Sequence, residues 1–204
     1  MKQLVLVILA LLLLAGCSSA PPTPAEKPQP KPPEELTGRA AFQQLYVAAH
    51  GWARDAQPFL LESVVTASGN GQDGKSEMWR ANFASPSQRG TKPYTWAGTD
   101  AIEGISRGIT PGTEDNYNPS NSSTQVFDIA YLKIDSDQAL TTSLKHGGEK
   151  LIAQKPPLPV FYALEWNRNS NSLSWHVAYG ASRSEPKLTI EIDASTGAFV
   201  RVQK

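Results

Sequence analysis

Hydrophobic positions along the chain fall into three spacings, and each predicts a different kind of segment. Leu4 to Ala15 is an unbroken apolar run of twelve residues, short of the roughly 20 that cross a bilayer as a helix. From Ser18 to Glu35 proline replaces apolar side chains: Pro21, Pro22, Pro24, Pro28, Pro30, Pro32 and Pro33 are seven of the sixteen prolines in the chain. From Leu36 the pattern is that of a folded domain. Phe42, Leu45, Tyr46, Ala49 and Ala53 recur at helical spacing, with Thr37 as the expected N-cap and Pro58 as the stop. Strand-like alternation follows at 59–67, 77–85 and 92–97, with Asn70-Gly71 and Asp73-Gly74 as turn signals between the first two.

The stretch 107–124 is rich in Gly, Pro, Asn, Ser and Thr and reads as a linker loop. Residues 126–134 alternate, with Phe127, Ile129 and Tyr131 on one face, and predict a strand. Asp135 followed by Gln138 forms a capping-box pattern for a second helix. Leu140, Leu144, Gly147 and Leu151 mark its inner face, and Pro156-Pro157 closes it. Strands are expected at 159–166, 173–181 and 187–193, then Ser195-Thr196-Gly197 and a short tail.

The two halves share markers at one offset. His50-Gly51 lies 96 residues before His146-Gly147, and Trp79 lies 96 before Trp175. At the same offset Val64 meets Val160, Phe83 meets Tyr179, Tyr94 meets Ile190 and Trp96 meets Ile192. A shared period of this kind predicts an internal repeat. The expected fold is therefore α+β, with two repeated helix-plus-antiparallel-sheet units at 36–106 and 125–204.

The beginning of the chain sharpens the picture. Met1-Lys2-Gln3 gives a positive start to the apolar run, which ends Leu14-Ala15-Gly16-Cys17 before Ser18 and Ser19. This resembles a lipoprotein signal peptide at 1–16 with a bacterial lipobox: cleavage between Gly16 and Cys17, then acylation of Cys17, palmitate included. Several acyl chains hold a protein firmly where one does not. Residues 17–35 would form a proline-rich tether, reaching about 50 Å if extended at about 3.1 Å per residue. Ser18 in place of Asp resembles the pattern of outer-membrane lipoproteins, which implies a periplasm-facing position if the host is Gram-negative.

A second resemblance lies near the end. Trp175-His176-Val177-Ala178-Tyr179 and Leu188-Thr189-Ile190-Glu191-Ile192-Asp193-Ala194-Ser195-Thr196-Gly197, after a helix from Asp137, resemble a PepSY-like domain over about 135–204. In the turn, Asp193 and Thr196 suit backbone capping and Gly197 suits positive φ. The first half has Ala97-Gly98-Thr99-Asp100 in that place, so its membership rests on the repeat. PepSY-like (cystatin-like) units place a helix on a curved antiparallel sheet. The resemblance implies a non-catalytic module that binds or restrains a partner, such as an envelope peptidase.

Composition narrows the function further. Nineteen basic residues offset nineteen acidic ones among 204, so no net field favours nucleic acid. Cys17 is the one cysteine, which leaves the folded part without disulfides. Gly104-Ile105-Ser106-Arg107-Gly108 matches the G-x-S-x-G nucleophile elbow and makes a serine hydrolase using Ser106 the alternative. That chemistry needs a strand-to-helix turn, whereas Pro111-Gly112 argues against a helix. His50, His146 and His176 lack metal-ligand spacing, and Asp115, Asn116, Asn118 and Asn121 lack the order of a calcium loop. No metal or cofactor is expected. Trp79, Trp96 and Trp175 suit half-buried core positions on strands, and Arg80, Arg89, Lys92 and Arg183 suit solvated faces. The expected protein is no enzyme but an envelope lipoprotein with a protein or peptide partner, docked at an exposed sheet edge. A structural lipoprotein without a specific ligand is the other non-catalytic alternative.

Overall fold

The computed structural model describes residues 31–66, 68–100 and 104–203. The expected signal peptide at 1–16, with Gly16, Cys17 and most of the proline-rich stretch, lies outside the described residues. Residues from Lys31 onward form one compact unit.

Strands β1 (Leu36–Thr37) and β3 (Lys75–Ser76) pair as a small two-stranded sheet. Helix α1 spans Gly38–Trp52, followed by strands β2 (Gln57–Ser63), β4 (Met78–Ser85) and β5 (Gly90–Ala97). Two short strands come next, β6 (Gly108–Pro111) and β7 (Asp115–Asn116). Helix α2 spans Ser136–Ser143, a wide turn Leu144–Gly148, and helix α3 Glu149–Ile152. Strands β8 (Val160–Asn167), β9 (Ser172–Gly180), β10 (Pro186–Asp193) and β11 (Phe199–Gln203) complete the chain. The main sheet is antiparallel throughout, in the order β11-β10-β9-β8-β2-β4-β5-β6, with β7 also on β5. Its centre is the β2–β8 pair, with Leu61 opposite Leu164 and Glu62 opposite Ala163.

The α+β class is as expected, and the helices lie against one face of the sheet. Period-2 alternation puts Trp79, Ala81 and Phe83 of β4, Leu164 of β8, Trp175, Val177 and Tyr179 of β9, and Ile190 and Ile192 of β10 on that face, all buried. Helix α1 adds Ala41, Phe42, Leu45 and Ala49, and α2 adds Ala139 and Leu140, to one continuous core. Trp79 and Trp175 meet edge-to-face at the middle, 6.4 Å apart and 73° inclined. Each indole N–H finds a carbonyl: Trp79 donates to Leu36 at 2.8 Å and Trp175 to Ile134 at 2.9 Å. A large ring buried with its N–H satisfied suits a core position.

The two helix starts share one cap. Asp135 and Gln138 form the expected capping box on α2. Thr37 occupies the N-cap position of α1, but its side chain accepts nothing from the helix. Its hydroxyl donates to Asp135 Oδ2 at 2.7 Å, and the Arg39 N–H goes to Asp135 Oδ1 at 2.8 Å. Ser136 Oγ accepts from the Gly38 N–H at 2.7 Å and donates to the Gly74 carbonyl at 2.6 Å. Orphan N–H groups at a helix start need acceptors, and here the second half supplies those of the first.

Several sequence expectations need correction. Residues 126–134 are irregular rather than a strand. Asp128 accepts the Ala130 N–H and turns the chain through a 3-10 turn at Ile129–Tyr131. Phe127 and Leu132 are then buried while Ile129 and Tyr131 face solvent, so the alternating set was not one face. The loop 107–124 contributes β6 and β7, because β5 offers a free edge to pair. The tail is strand β11.

The constant 96-residue offset holds for β4 with β9 and for β5 with β10, but not elsewhere. Pro58 stands opposite Phe83 and Val160 opposite Tyr179, an offset of 102, and past the register shift in β2 Ser63 stands opposite Trp79 and Leu164 opposite Trp175, an offset of 101. Val64 lies beyond β2 and does not match Val160. The helix starts Thr37 and Asp135 are 98 apart, which takes His50 and His146 out of correspondence.

The end of the proline-rich stretch is pinned. The Glu34 N–H donates to the Gly98 carbonyl at 2.9 Å, and Arg107 donates to the carbonyls of Lys31 and Pro32 at 3.0 and 2.8 Å. A Cβ on Gly98 would lie 2.0 Å from the Glu34 oxygen, so glycine is what lets the two backbones approach.

Candidate functional site

The sheet face opposite the helices carries the densest polar chemistry among the described residues. Alternation sends Glu62, Arg80, His176, Glu191 and Arg201 to this face. Strand register then aligns them: Thr95, Arg80, Glu62, Ala163, His176, Glu191 and Arg201 stand opposite one another across seven consecutive strands. Charges alternate along much of this row. Glu62 pairs with Arg80 at 3.9 Å and, more closely, with Arg183 from the turn after β9. His176 Nε2 is 3.5 Å from Glu165 Oε1, and its Nδ1 is 3.2 Å from the Gln203 amide.

Glu191 is fully buried. Its carboxylate accepts from Arg201 Nε at 2.6 Å, from the Asn167 amide and from Gln203 at 3.2 Å. Burial pushes this carboxyl up, but hydrogen bonds from Arg201 and Asn167, with His176 nearby, bring it below its ordinary 4.5. It is therefore held as an anion among donors.

Beside this row lies a cavity of about 300 Å³. Phe161, Glu165, His176, Arg183, Thr189 and Gln203 line it. It offers one aromatic floor, donors from Arg183 and Gln203, and a carboxylate acceptor. Such a site suits a polar side chain or short peptide segment better than an apolar ligand. A second hollow, of about 290 Å³, runs along α1 between Phe42, Tyr46, Val47, Ile129 and Leu132. Val47 there is 73% exposed. It sits on the outer side of α1, away from the periodic positions that marked the core.

The sequence-derived candidates are spread over the molecule. Asp193 Oδ1 accepts from the Ser195 N–H, the Thr196 N–H and the Thr196 hydroxyl at 2.8–2.9 Å, and Gly197 has φ +76°. These residues shape the turn between β10 and β11 and do not line the cavity. Ser106 is exposed on the segment entering β6, so a strand rather than a helix follows it and no nucleophile elbow forms. His50 Nδ1 lies 3.0 Å from the Tyr46 carbonyl on α1, and His146 stacks on Phe199 at 3.8 Å. The three histidines thus occupy separate elements. Among the described residues no group of three or more His, Cys, Asp or Glu is placed to hold a metal ion.

Of the basic residues assigned to solvated faces, Lys92 instead lies on the helix side. It pairs with Glu114 at 2.9 Å, 5.7 Å from the Trp52 ring centroid. The charged row was readable in part, since Glu62, Arg80, His176 and Glu191 alternate with apolar neighbours. Their alignment depends on register between strands far apart in sequence.

Comparison with known proteins gives a fold and little more. No family model and no curated protein matches the chain. The chain is similar to the crystal structure of a candidate lipoprotein from Clostridium difficile 630, with a TM-score of 0.53 and 9% identity. The match covers 80% of this chain and 91% of that one. Similarity at this identity concerns the fold.

Proposed function

We propose that the chain is a bacterial envelope lipoprotein, anchored through Cys17, that binds a protein or peptide partner without catalysing a reaction. The observation that carries the binding role is the sheet's second face: seven strands hold a registered charged row beside a cavity, and no helix covers it among the described residues. The anchoring role is supported by Leu14-Ala15-Gly16-Cys17 at the end of an apolar run. The fold neighbour is itself described as a lipoprotein candidate, which agrees with this reading. Two PepSY-like repeats account for the central β2–β8 pair flanked by matching strands, and a modulator of an envelope peptidase fits that family. In a Gram-negative host, Ser18 favours the outer membrane facing the periplasm.

Labelling cells with radioactive palmitate tests the anchor. Label should enter the full chain and be lost in Cys17→Ser, which should move the protein from the membrane to the soluble fraction. Unlabelled protein, or unchanged fractionation of the variant, overturns the anchor. Photo-crosslinkers placed at Phe161 in the full chain should give a discrete adduct in the envelope, and their failure there and at other points of the face overturns the binding role.

A further inference from the structure

The main sheet is finished differently at its two ends. At one end β6 is four residues long, starts at Gly108 with φ +101° and ends on Pro111, with the two-residue β7 beyond it on the same strand. A short, proline-bearing edge offers few donors to an incoming strand, which is how native proteins blunt an edge. At the other end β11 has five residues, Phe199-Val200-Arg201-Val202-Gln203, without glycine or proline. Its inner side pairs with β10 from Thr189–Gln203 to Ile192–Phe199. No strand covers its outer side among the described residues.

We infer that the outer edge of β11 is the docking site for an extended, acidic segment of a partner protein, which adds to the sheet as one more strand. The inference rests on the binding role proposed above and gives it a place and a chemistry. A strand edge presents N–H and C=O groups that an extended backbone satisfies, while side chains on the two faces set specificity. On β11 the two faces differ. The register shift near Glu191/Ile192 leaves Val200 as the extra residue. Phe199 and Val202 therefore stand opposite the buried Ile192 and Ile190, on the helix side. Both remain more than a third exposed, and His146 stacks on the Phe199 ring. Aliphatic residues on an added strand would cover them as cross-strand pairs.

Arg201 and Gln203 stand on the other face, and Gln203 also lines the cavity. Arg201 gives its Nε to Glu191 and is still half-exposed. A carboxylate on the added strand beside Arg201 gains a partner. A cation there is repelled, since like charges on neighbouring strands destabilise a sheet. The same argument disfavours a second copy of this chain, whose own β11 would bring another Arg201 to the same short ribbon.

The test uses the full chain in detergent micelles and two synthetic peptides, one alternating valine with glutamate and the other alternating valine with lysine. The acidic peptide should slow amide hydrogen exchange within 199–203 and leave β6 unchanged. The lysine peptide should bind about five-fold more weakly, the size of an exposed cross-strand charge effect. Val202→Lys should abolish the protection. Val200→Lys, at the bulge, serves as the second variant if thermal unfolding shows the first to be misfolded. Equal binding of both peptides, protection confined to another surface, or a concentration-dependent dimer broken by Val202→Lys overturns the inference. Photo-crosslinkers at Val202 and Phe161 in intact envelopes separate it from the broader reading. Adducts at Phe161 alone overturn the edge site and keep the binding role, whereas the absence of adducts at both positions and at the other points of the face overturns both.

Discussion

The helices of the two halves meet the sheet in different ways, although both carry the dipeptide His-Gly near the same place. In the first half α1 is one uninterrupted helix of 15 residues, and a Cβ on Gly51 would meet nothing within 4 Å. In the second half the helix breaks after Ser143. His146 and Gly147 leave helical geometry, with Gly147 at φ +116°. The next residue, Gly148, lies so close to Tyr179 that a Cβ would be 2.1 Å from the hydroxyl, which also bonds Ser143. An identical pair of residues thus has open space beside its glycine in one half and lies next to a tight layer contact in the other. What decides is the tyrosine across the layer, since β4 carries Phe83 where β9 carries Tyr179 and offers no hydroxyl to accommodate.

Asp135→Ala should have the largest effect, because it removes the cap of both helices at once. Arg39 and Ser136 lose an acceptor for their N–H groups and Thr37 one for its hydroxyl. At about 1 kcal/mol for each cap and hydrogen bond, the loss is about 3 kcal/mol. Urea unfolding of the full chain measures it. Thr37→Val should cost only about 1 kcal/mol, as it removes one donor. A loss of only about 1 kcal/mol in Asp135→Ala would show that the first helix does not depend on the second half for its cap.

The glycines are next. Gly148→Ala forces the Tyr179 hydroxyl to move and should destabilise by about 2 kcal/mol, in the range for overpacking. Gly51→Ala should instead stabilise by about 0.5 kcal/mol, since a helical position with open space favours alanine. Thermal unfolding of the two variants should therefore shift in opposite directions. Shifts of the same sign would erase the difference between the halves.

This pair also shows what could be read from the sequence. The alternating strands 77–85, 173–181 and 187–193, the capping box at Asp135 and the α+β class all follow from local spacing, and the structure carries them. Local spacing also suggested that His50-Gly51 and His146-Gly147 were equivalent, and they are not. The number of residues between helix and first strand differs between the halves, and a fixed period does not register such a change. The strand expected at 126–134 failed for a related reason: Asp128 captures a backbone N–H two residues on, a local bond that competes with pairing. The charged row of the candidate site joins Glu62 to His176 and Glu191, and only strand register reveals it. The anchor proposed at Cys17 needs no register, because that reading rests on a contiguous run.

Arg201→Ala probes the second half's buried anion. Removing one partner of a buried pair costs 3–5 kcal/mol when no water can enter. Because Arg201 is half-exposed, water can replace it and the loss at neutral pH should be about 1 kcal/mol. The dependence on pH is the sharper reading. With Arg201 present the folded-state pKa of Glu191 lies below its ordinary 4.5. Its contribution is thus present above that value and lost as pH falls through the lower one. Without Arg201, burial is opposed by fewer donors, and the difference between the variant and the parent should shrink as the carboxyl protonates. Unfolding midpoints between pH 3 and 7 measure this.

Glu35 gives the smallest effect and the opposite sign. Burial, and then the neighbouring carboxylates Asp73 and Glu77, raise its pKa above 4.5. A carboxyl raised on folding favours the folded state below its ordinary pKa. That contribution disappears as pH climbs through the raised value, because the folded state binds the proton more tightly than the unfolded chain does. Glu35 stands where the N-terminal segment joins β1, so acidification should tighten that junction while it loosens the Glu191 network. Glu35→Gln should remove the first trend and leave the second. Residue-resolved hydrogen exchange at Glu34 and at β10 separates them: as pH falls from 6 to 4, protection should rise at Glu34 and decline at β10, after correction for intrinsic exchange. Parallel trends at the two places would mean that one cooperative unit titrates as a whole and that the halves do not differ in this respect.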